Sequence, residues 1–282
     1  MDDSTEHEPA HGATEPSRHQ VREEQYAIDR LWDFSDPALS EARFREAAED
    51  EANTPHVRAA MATQLARAVG IQGRADDAMS VLDAVEDGAQ RVATGEAGDT
   101  TLADAEFAEV RARVALERGR ILVAADRGSE AIANLTRAVR EAAHAGNAFL
   151  ALDALHMLAL TDTGHEREWA EQGFELLAAG RDPRELRWGV ALHNNLGWTL
   201  LDAGDAHAAL AQFELAVDAA DRYGTAEQQH VTRWSVGRAL RAVGRADEAL
   251  TLQRELARAR PEDPYVAAEI EALTEGEPTI EA

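Results

Sequence analysis

The stretch Asn194–Ala216, NNLGWTLLDAGDAHAALAQFELA, decides the fold. It sets Leu196-Gly197, Leu200, Gly204, Ala209, Phe213 and Ala216 at spacings that suit two paired helices. The first helix is expected over roughly Leu186 to Ala203 and the second over about Ala206 to Tyr223. Gly204-Asp205 separates them, because glycine tolerates the positive φ that ends a helix. Gly197 and Ala209 lack bulk, so the two backbones can approach closely there. Leu196, Leu200, Phe213 and Ala216 recur at helical spacing and close the gap. Neither helix could bury its apolar stripe alone.

Working outward, the same frame returns. Gly237, Leu240, Gly244, Ala249 and Pro261 repeat Gly197, Leu200, Gly204, Ala209 and Asp221 forty residues later. Upstream, Ala170 and Phe174 match Ala209 and Phe213 thirty-nine residues earlier, with Leu158 in the glycine slot and Gly164 near the turn. Gly119, Leu122, Ala131, Leu135 and Ala138 fit the frame again, as do Ala66, Val69, Gly73, Ala78 and Leu82. Leu31, Ser40, Phe44 and Ala47 form a sixth, weaker copy. A period near forty, in paired helices that cannot bury themselves singly, is the mark of a solenoid.

The pattern resembles the tetratricopeptide repeat (TPR), whose signature is W-x2-L-G-x2-Y, then A-x3-F, then P. Leu196, Gly197, Ala209, Phe213 and Ala216 carry it, followed by Gly237, Ala249 and Pro261. The resemblance extends over about residues 21–275 and is to bacterial proteins of this kind with repeats of about forty residues, as in kinesin-light-chain-like variants. The signature tryptophan slot holds His193 and Arg233. The resemblance implies an all-α, right-handed superhelical solenoid of antiparallel helix pairs. Residues 21–275 would then hold about six pairs and a capping helix. Residues 1–20 read as a disordered acidic tail and 276–282 as a second acidic tail.

Boundaries follow from turn chemistry. Asp36-Pro37 and Thr54-Pro55 are helix starts, an N-cap followed by proline in the first turn. Gly146-Asn147 and Gly180-Arg181-Asp182-Pro183 mark further breaks. Asp87–Thr101, with three glycines and few apolar residues, reads as the longest loop and a candidate partner contact. Trp32 and Phe34 are expected to seal the first repeat, or else to anchor a partner. Pro264 opens a last amphipathic helix carrying Tyr265, Val266, Ile270 and Leu273, which reads as the solubilising cap.

Composition narrows the chemistry. Cysteine is absent, which removes disulfides, thiolate catalysis and cysteine zinc sites. Lysine is absent too, which removes Schiff-base and P-loop lysine chemistry. The net charge of −25 disfavours nucleic acid, which needs a basic footprint. No signal peptide and no apolar run of about 18 residues occurs, which points to a cytoplasmic protein without a membrane partner. No H-E-x-x-H, Gly-rich phosphate loop or G-x-S-x-G is present, and neither catalysis nor a cofactor is expected. His7, between Glu6 and Glu8, with His11 and His19 could hold a metal; an unstructured terminus is the reading adopted, with no metal site. His156, His193 and His230, spaced 37 apart, suggest a stack along successive first helices.

In TPR folds the first helix of each pair lines a concave groove, and the resemblance places ligand-facing residues there. Slot by slot these are Thr63 and Arg67, Leu116 and Arg120, His156 and Asp162, then Asn194, Asn195 and Trp198, then Trp234, Arg238 and Arg241. The partner-binding set taken from this row is Arg67, Arg120, His156, Asn194, Asn195, Trp198, Trp234, Arg238 and Arg241. Asparagine amides suit an extended peptide backbone, arginine forks grip carboxylates, and indoles offer flat contact area. Residues 228–261 hold seven arginines against three acids, so an acidic segment is one expected ligand. Neutralisation of that patch by Glu262, Asp263, Glu269 and Glu271 is the other reading. The function expected is a non-catalytic scaffold that binds a peptide or protein segment. The alternative is a peptide- or small-ligand-sensing regulatory protein acting on a separate effector.

Overall fold

A computed structural model describes residues 18–95 and 103–274, with side chains from residue 25 onward. Among these residues there are helices and turns and no strand. The helices are α1 (Arg18–Leu31), α2 (Pro37–Glu49), α3 (Pro55–Ile71), α4 (Ala75–Ala93), α5 (Asp104–Ala124), α6 (Gly128–His144) and α7 (Ala148–Thr161). There follow α8 (Glu166–Ala179), the one-turn α9 (Pro183–Leu186), α10 (Trp188–Asp202), α11 (Ala206–Tyr223), α12 (Ala226–Ala242), α13 (Ala246–Ala259) and α14 (Pro264–Thr274). Residues 1–17 and 275–282, which hold most of both expected tails, together with His7 and His11, lie outside the described residues; α1 begins at Arg18. The contacts divide the chain into two compact units, residues 1–121 with 140–147, and residues 122–139 with 148–282.

The helices begin and end where the sequence carries the signals. Asp36 caps α2 by accepting from the Leu39 amide at 3.0 Å, and Thr54 caps α3 by accepting from Val57 at 3.3 Å. Thr225 and Gln228 form a reciprocal capping box at the start of α12. Between α10 and α11, Gly204 takes φ +85, and the Asp205 amide donates back to the Leu200 carbonyl at 2.9 Å, a Schellman closure. Gly244 repeats this between α12 and α13, with Arg245 N–H on the Leu240 carbonyl at 2.9 Å.

In the second unit α7 packs on α8, α8 on α10, α10 on α11, α11 on α12, α12 on α13 and α13 on α14. The first helices of successive pairs, α7, α10, α12 and α14, also touch one another and form one layer. The core joins Leu196, Leu200, Ala209, Phe213, Leu240 and Ala249. A Cβ at Gly197 would stand 2.4 Å from Phe213 Cε1, so glycine is required for the ring to lie against the α10 backbone. Forty residues on, Gln253 takes the place of that ring, and a Cβ at Gly237 would meet its Nε2 at 2.2 Å.

In the first unit α2 packs on α3 and α3 on α4, around Phe44, Leu65, Ala66, Val69, Ala78 and Leu82. The structure corrects one boundary. The loop expected from Asp87 is helix to Ala93, with a turn at Thr94-Gly95, and 96–102 lies outside the described residues. Gly88 costs a helix about 1 kcal/mol relative to alanine. Leu82, Val85, Ala89 and Val92 nevertheless continue one stripe at helical spacing, and Ala89 is buried.

Candidate functional site

On α10, Asn194 and Asn195 lie four and three residues before Trp198, so all three share a helix face. Each amide is already engaged with a neighbouring first helix. Asn195 Nδ2 stands 3.2 Å from His156 Nδ1 on α7. Asn194 Oδ1 accepts from Ser235 Oγ on α12 at 2.9 Å. His156 also leans on Trp188, ring centroids 5.3 Å apart. Trp198 sets its edge on Phe213 and tilts against Trp234 at 5.4 Å. Trp234 in turn meets Tyr265 of α14 at 5.8 Å and 66°. Three first helices thus carry a continuous row of half-exposed amides and rings.

Arg238 and Arg241, one turn apart on α12, do not stand as a bare cationic pair. Glu269 of α14 accepts from Arg238 Nη1 and takes Arg241 in a fork, with Nε at 3.0 Å and Nη2 at 3.1 Å. Glu269 is 5 % exposed. Of the two readings of this basic segment, the geometry favours neutralisation, and it assigns that role to one of the four acids named. Asp263 makes a second tie between the same helices. Its Oδ2 lies 2.8 Å from His230 Nε2, and its Oδ1 accepts from the Tyr265 and Val266 amides at the start of α14. Burial would raise the Asp263 carboxyl; the His230 and backbone hydrogen bonds outweigh it and hold the pKa below the usual value.

In the first unit, Arg67 and Arg120 converge on Glu117, at 4.0 and 3.3 Å. Arg67 also lies over the stacked Trp32 and Phe34 rings, 5.4 and 5.7 Å from their centroids. Trp32 donates to Gln64 Oε1 at 3.1 Å, and Gln64 reaches Glu117 at 3.5 Å. Trp32 therefore seals the first repeat, while Phe34 is 64 % exposed. Deeper in the same unit lies a buried ion cluster. Arg113 bridges Glu109 and Gln25, and His56 approaches Glu109 at 3.7 Å. Burial would raise the Glu109 carboxyl; the Arg113 and His56 charges and hydrogen bonds from Arg113 and Asn147 reverse this and hold its pKa below the ordinary value.

Several expected positions fall elsewhere. Thr63 is fully buried, its hydroxyl donating to the Ala60 carbonyl, and Leu116 is buried, so neither faces a ligand. Asp162 sits past the end of α7, where it accepts from Trp169 Nε1 at 2.9 Å. The three histidines do not stack on one another. His193 stacks on Phe174 and bonds Gln212, against the second helices α8 and α11, whereas His156 and His230 meet first helices. The structural repeat is near forty residues, so a spacing of 37 slips three residues and turns the side chain by about 60° at each step.

Sequence reasoning named Glu269 only as one of four acids that could neutralise α12, and it missed the Glu109–Arg113–Glu117 row. Alternating charges four apart on α5 were the available signal, but such a row reads as a solvated face unless the rest of the helix is seen to be apolar.

No family model and no curated protein matches the chain. Solved structures do. The apo form of the quorum sensor NprR from B. thuringiensis superposes with a TM-score of 0.59 at 12% identity, covering 91% of this chain and 68% of that one. A kinesin light chain protein of nearly identical TPR-like repeats from Podospora anserina superposes with a TM-score of 0.50 at 20% identity, covering 77% of this chain and 98% of that one. At these identities the likeness concerns the fold, and the chain has the fold of the TPR-like helical-repeat proteins.

Proposed function

We propose that this protein is a non-catalytic scaffold that holds a peptide or protein segment against the first-helix face of α7, α10 and α12. The observation that carries the reading is the row of amides and rings. His156, Asn195 and Asn194 offer donors and acceptors at half-exposed positions, with the buried Ser235 hydroxyl holding Asn194 from beneath, and Trp198 and Trp234 flank them with flat apolar surface. An extended backbone presents alternating N–H and C=O groups that can exchange with such amide pairs, while rings hold its side chains.

The test compares wild type with the Asn194→Ala, Asn195→Ala double variant in capture from host lysate, with circular dichroism as the folding control. A polypeptide retained by wild type and lost by the folded variant is the expected result. Equal retention by both rejects the amide row.

A second reading is a regulatory sensor acting on a separate effector, favoured because the quorum sensor NprR shares the fold over most of this chain. A protease-resistant small molecule from lysate that raises the melting temperature of wild type would select it over the scaffold.

A further inference from the structure

We propose that a pocket between α12 and α14, next to the first-helix face, receives an arginine or lysine side chain of the bound polypeptide. The inference rests on the peptide-binding reading above and specifies the chemistry of its ligand. The pocket has a volume of about 570 Å³, room for a long side chain and part of its backbone. Two of its walls are aromatic. The Trp234 and Tyr265 rings meet at 66° with centroids 5.8 Å apart, forming a corner, and Tyr265 is 69 % exposed. Val231 adds apolar surface and is also exposed. Aromatic faces attract a cation through the ring quadrupole, and an apolar wall accommodates its methylene stem.

The charge around the pocket selects the sign of the occupant. Glu227, Glu262 and Asp263 line it against a single guanidinium, that of Arg260. Arg260 is already paired with Glu227. The positive end of α14, which would otherwise draw an anion, is met by Asp263. The basic pair on the same helix, Arg238 and Arg241, is closed by Glu269. An acidic ligand in the pocket would therefore face three carboxylates, whereas a basic one enters a site with excess negative charge on a chain of net charge −25.

The experiment pans the full chain against a random dodecapeptide library, in parallel on wild type and on Tyr265→Ala, with melting curves for both proteins. Tyr265 is largely exposed, so its loss should leave the fold intact. Peptides recovered on wild type are expected to share an arginine or lysine beside apolar residues. They should bind Tyr265→Ala roughly fivefold more weakly and Glu262→Gln measurably more weakly, and they should weaken with added salt.

Recovered peptides without a shared basic residue overturn the proposal. So does equal binding of basic peptides to wild type and Tyr265→Ala, or arginine amide alone competing as tightly as the peptides, which would make this a small-cation site. Peptides indifferent to Tyr265→Ala but lost on the Asn194→Ala, Asn195→Ala variant would overturn the pocket and leave the scaffold reading standing. Recovery of no peptide at all would overturn both.

Discussion

The first-helix seams of the two units are made of opposite materials. Between α3 and α5 the seam is ionic and dry: His56, Glu109, Arg113 and Glu117 are each at most 4 % exposed. Between α10 and α12 it is an amide–hydroxyl bond and two tilted indoles, and each helix pair beside it closes on a glycine. The repeat frame fixes how far apart the backbones lie, not the chemistry that fills the space. The ionic seam contributes little net stability as such, because desolvation consumes much of the Coulomb attraction. What it supplies is a penalty against mispairing, since one displaced partner leaves a buried charge.

The sharpest way to break this contrast is to remove one member of the ionic seam. Glu109→Ala leaves the Arg113 guanidinium buried opposite nothing of opposite sign except more distant groups. A loss of about 3–5 kcal/mol is expected, read by urea denaturation followed at 222 nm. Replacing both partners, Glu109→Leu with Arg113→Met, should recover part of it, because two apolar groups need no counter-charge while Gln25, His56 and Asn147 lose a polar partner. A single variant as stable as wild type would show that the cluster is not energetically coupled.

The second unit should break through shape instead. In Gly197→Leu the new Cβ would stand 2.4 Å from the Phe213 ring, and the branched side chain has nowhere to go. Overpacking of this kind costs about 1–3 kcal/mol. Adding Phe213→Ala should return part of that loss, since the ring is the obstacle. If the double variant is less stable than the sum of the two single ones, Gly197 and Phe213 are not the contact that sets the distance between α10 and α11.

The contrast also marks what the sequence could reveal. The glycine–ring frame at Gly197, Phe213 and Gly237 was legible, because small residues and bulky apolar ones recur at a fixed period only where two backbones must pack closely again and again. So were the helix starts at Asp36, Thr54 and Pro264. The ionic seam was not, because Glu109, Arg113 and Glu117 have the spacing of an ordinary solvated row, and burial depends on which helix lies opposite. The candidate site was legible in part. Asn194, Asn195, Trp198 and Trp234 do share neighbouring faces, but Arg238 and Arg241 are answered by Glu269, an acid 28 residues beyond Arg241 on another helix. Thr63 and Leu116 failed because a slot taken from a repeat frame carries an error of one residue, about 100° around a helix.

Acid should separate the two regions along the pH axis. His193 is pushed below its ordinary pKa of 6.5 by burial, with the Gln212 hydrogen bond opposing in part. Its folded-state pKa lies under the unfolded one, so this contribution is present above pH 6.5 and is lost as pH falls towards the folded value. Glu109 is likewise lowered, from 4.5, so the ionic seam keeps its contribution until the pH drops below that figure. The stability difference between wild type and His193→Gln should accordingly shift against wild type between about pH 7.5 and 5.5. That between wild type and Glu109→Gln should hold in this range and shrink only below pH 4.5. Parallel pH profiles for the two pairs would remove the distinction.

The smallest expected effect tests whether the two glycine slots are interchangeable. Gln253 occupies the position that Phe213 holds one repeat earlier, fully buried, with its Nε2 on the Trp234 carbonyl at 3.3 Å and its Oε1 without a partner among the described residues. An amide in that slot loses hydration and recovers one weak bond. Gln253→Met keeps the unbranched length, removes both polar atoms and leaves the Trp234 carbonyl inside α12, where helical bonding serves it. A gain of about 1 kcal/mol is expected, measured as an upward shift in the denaturation midpoint with unchanged slope. A loss of similar size would mean that the Gln253–Trp234 bond holds α13 on α12 in the way the Phe213 ring holds α11 on α10, and that the slot selects for a contact to the backbone as well as for volume.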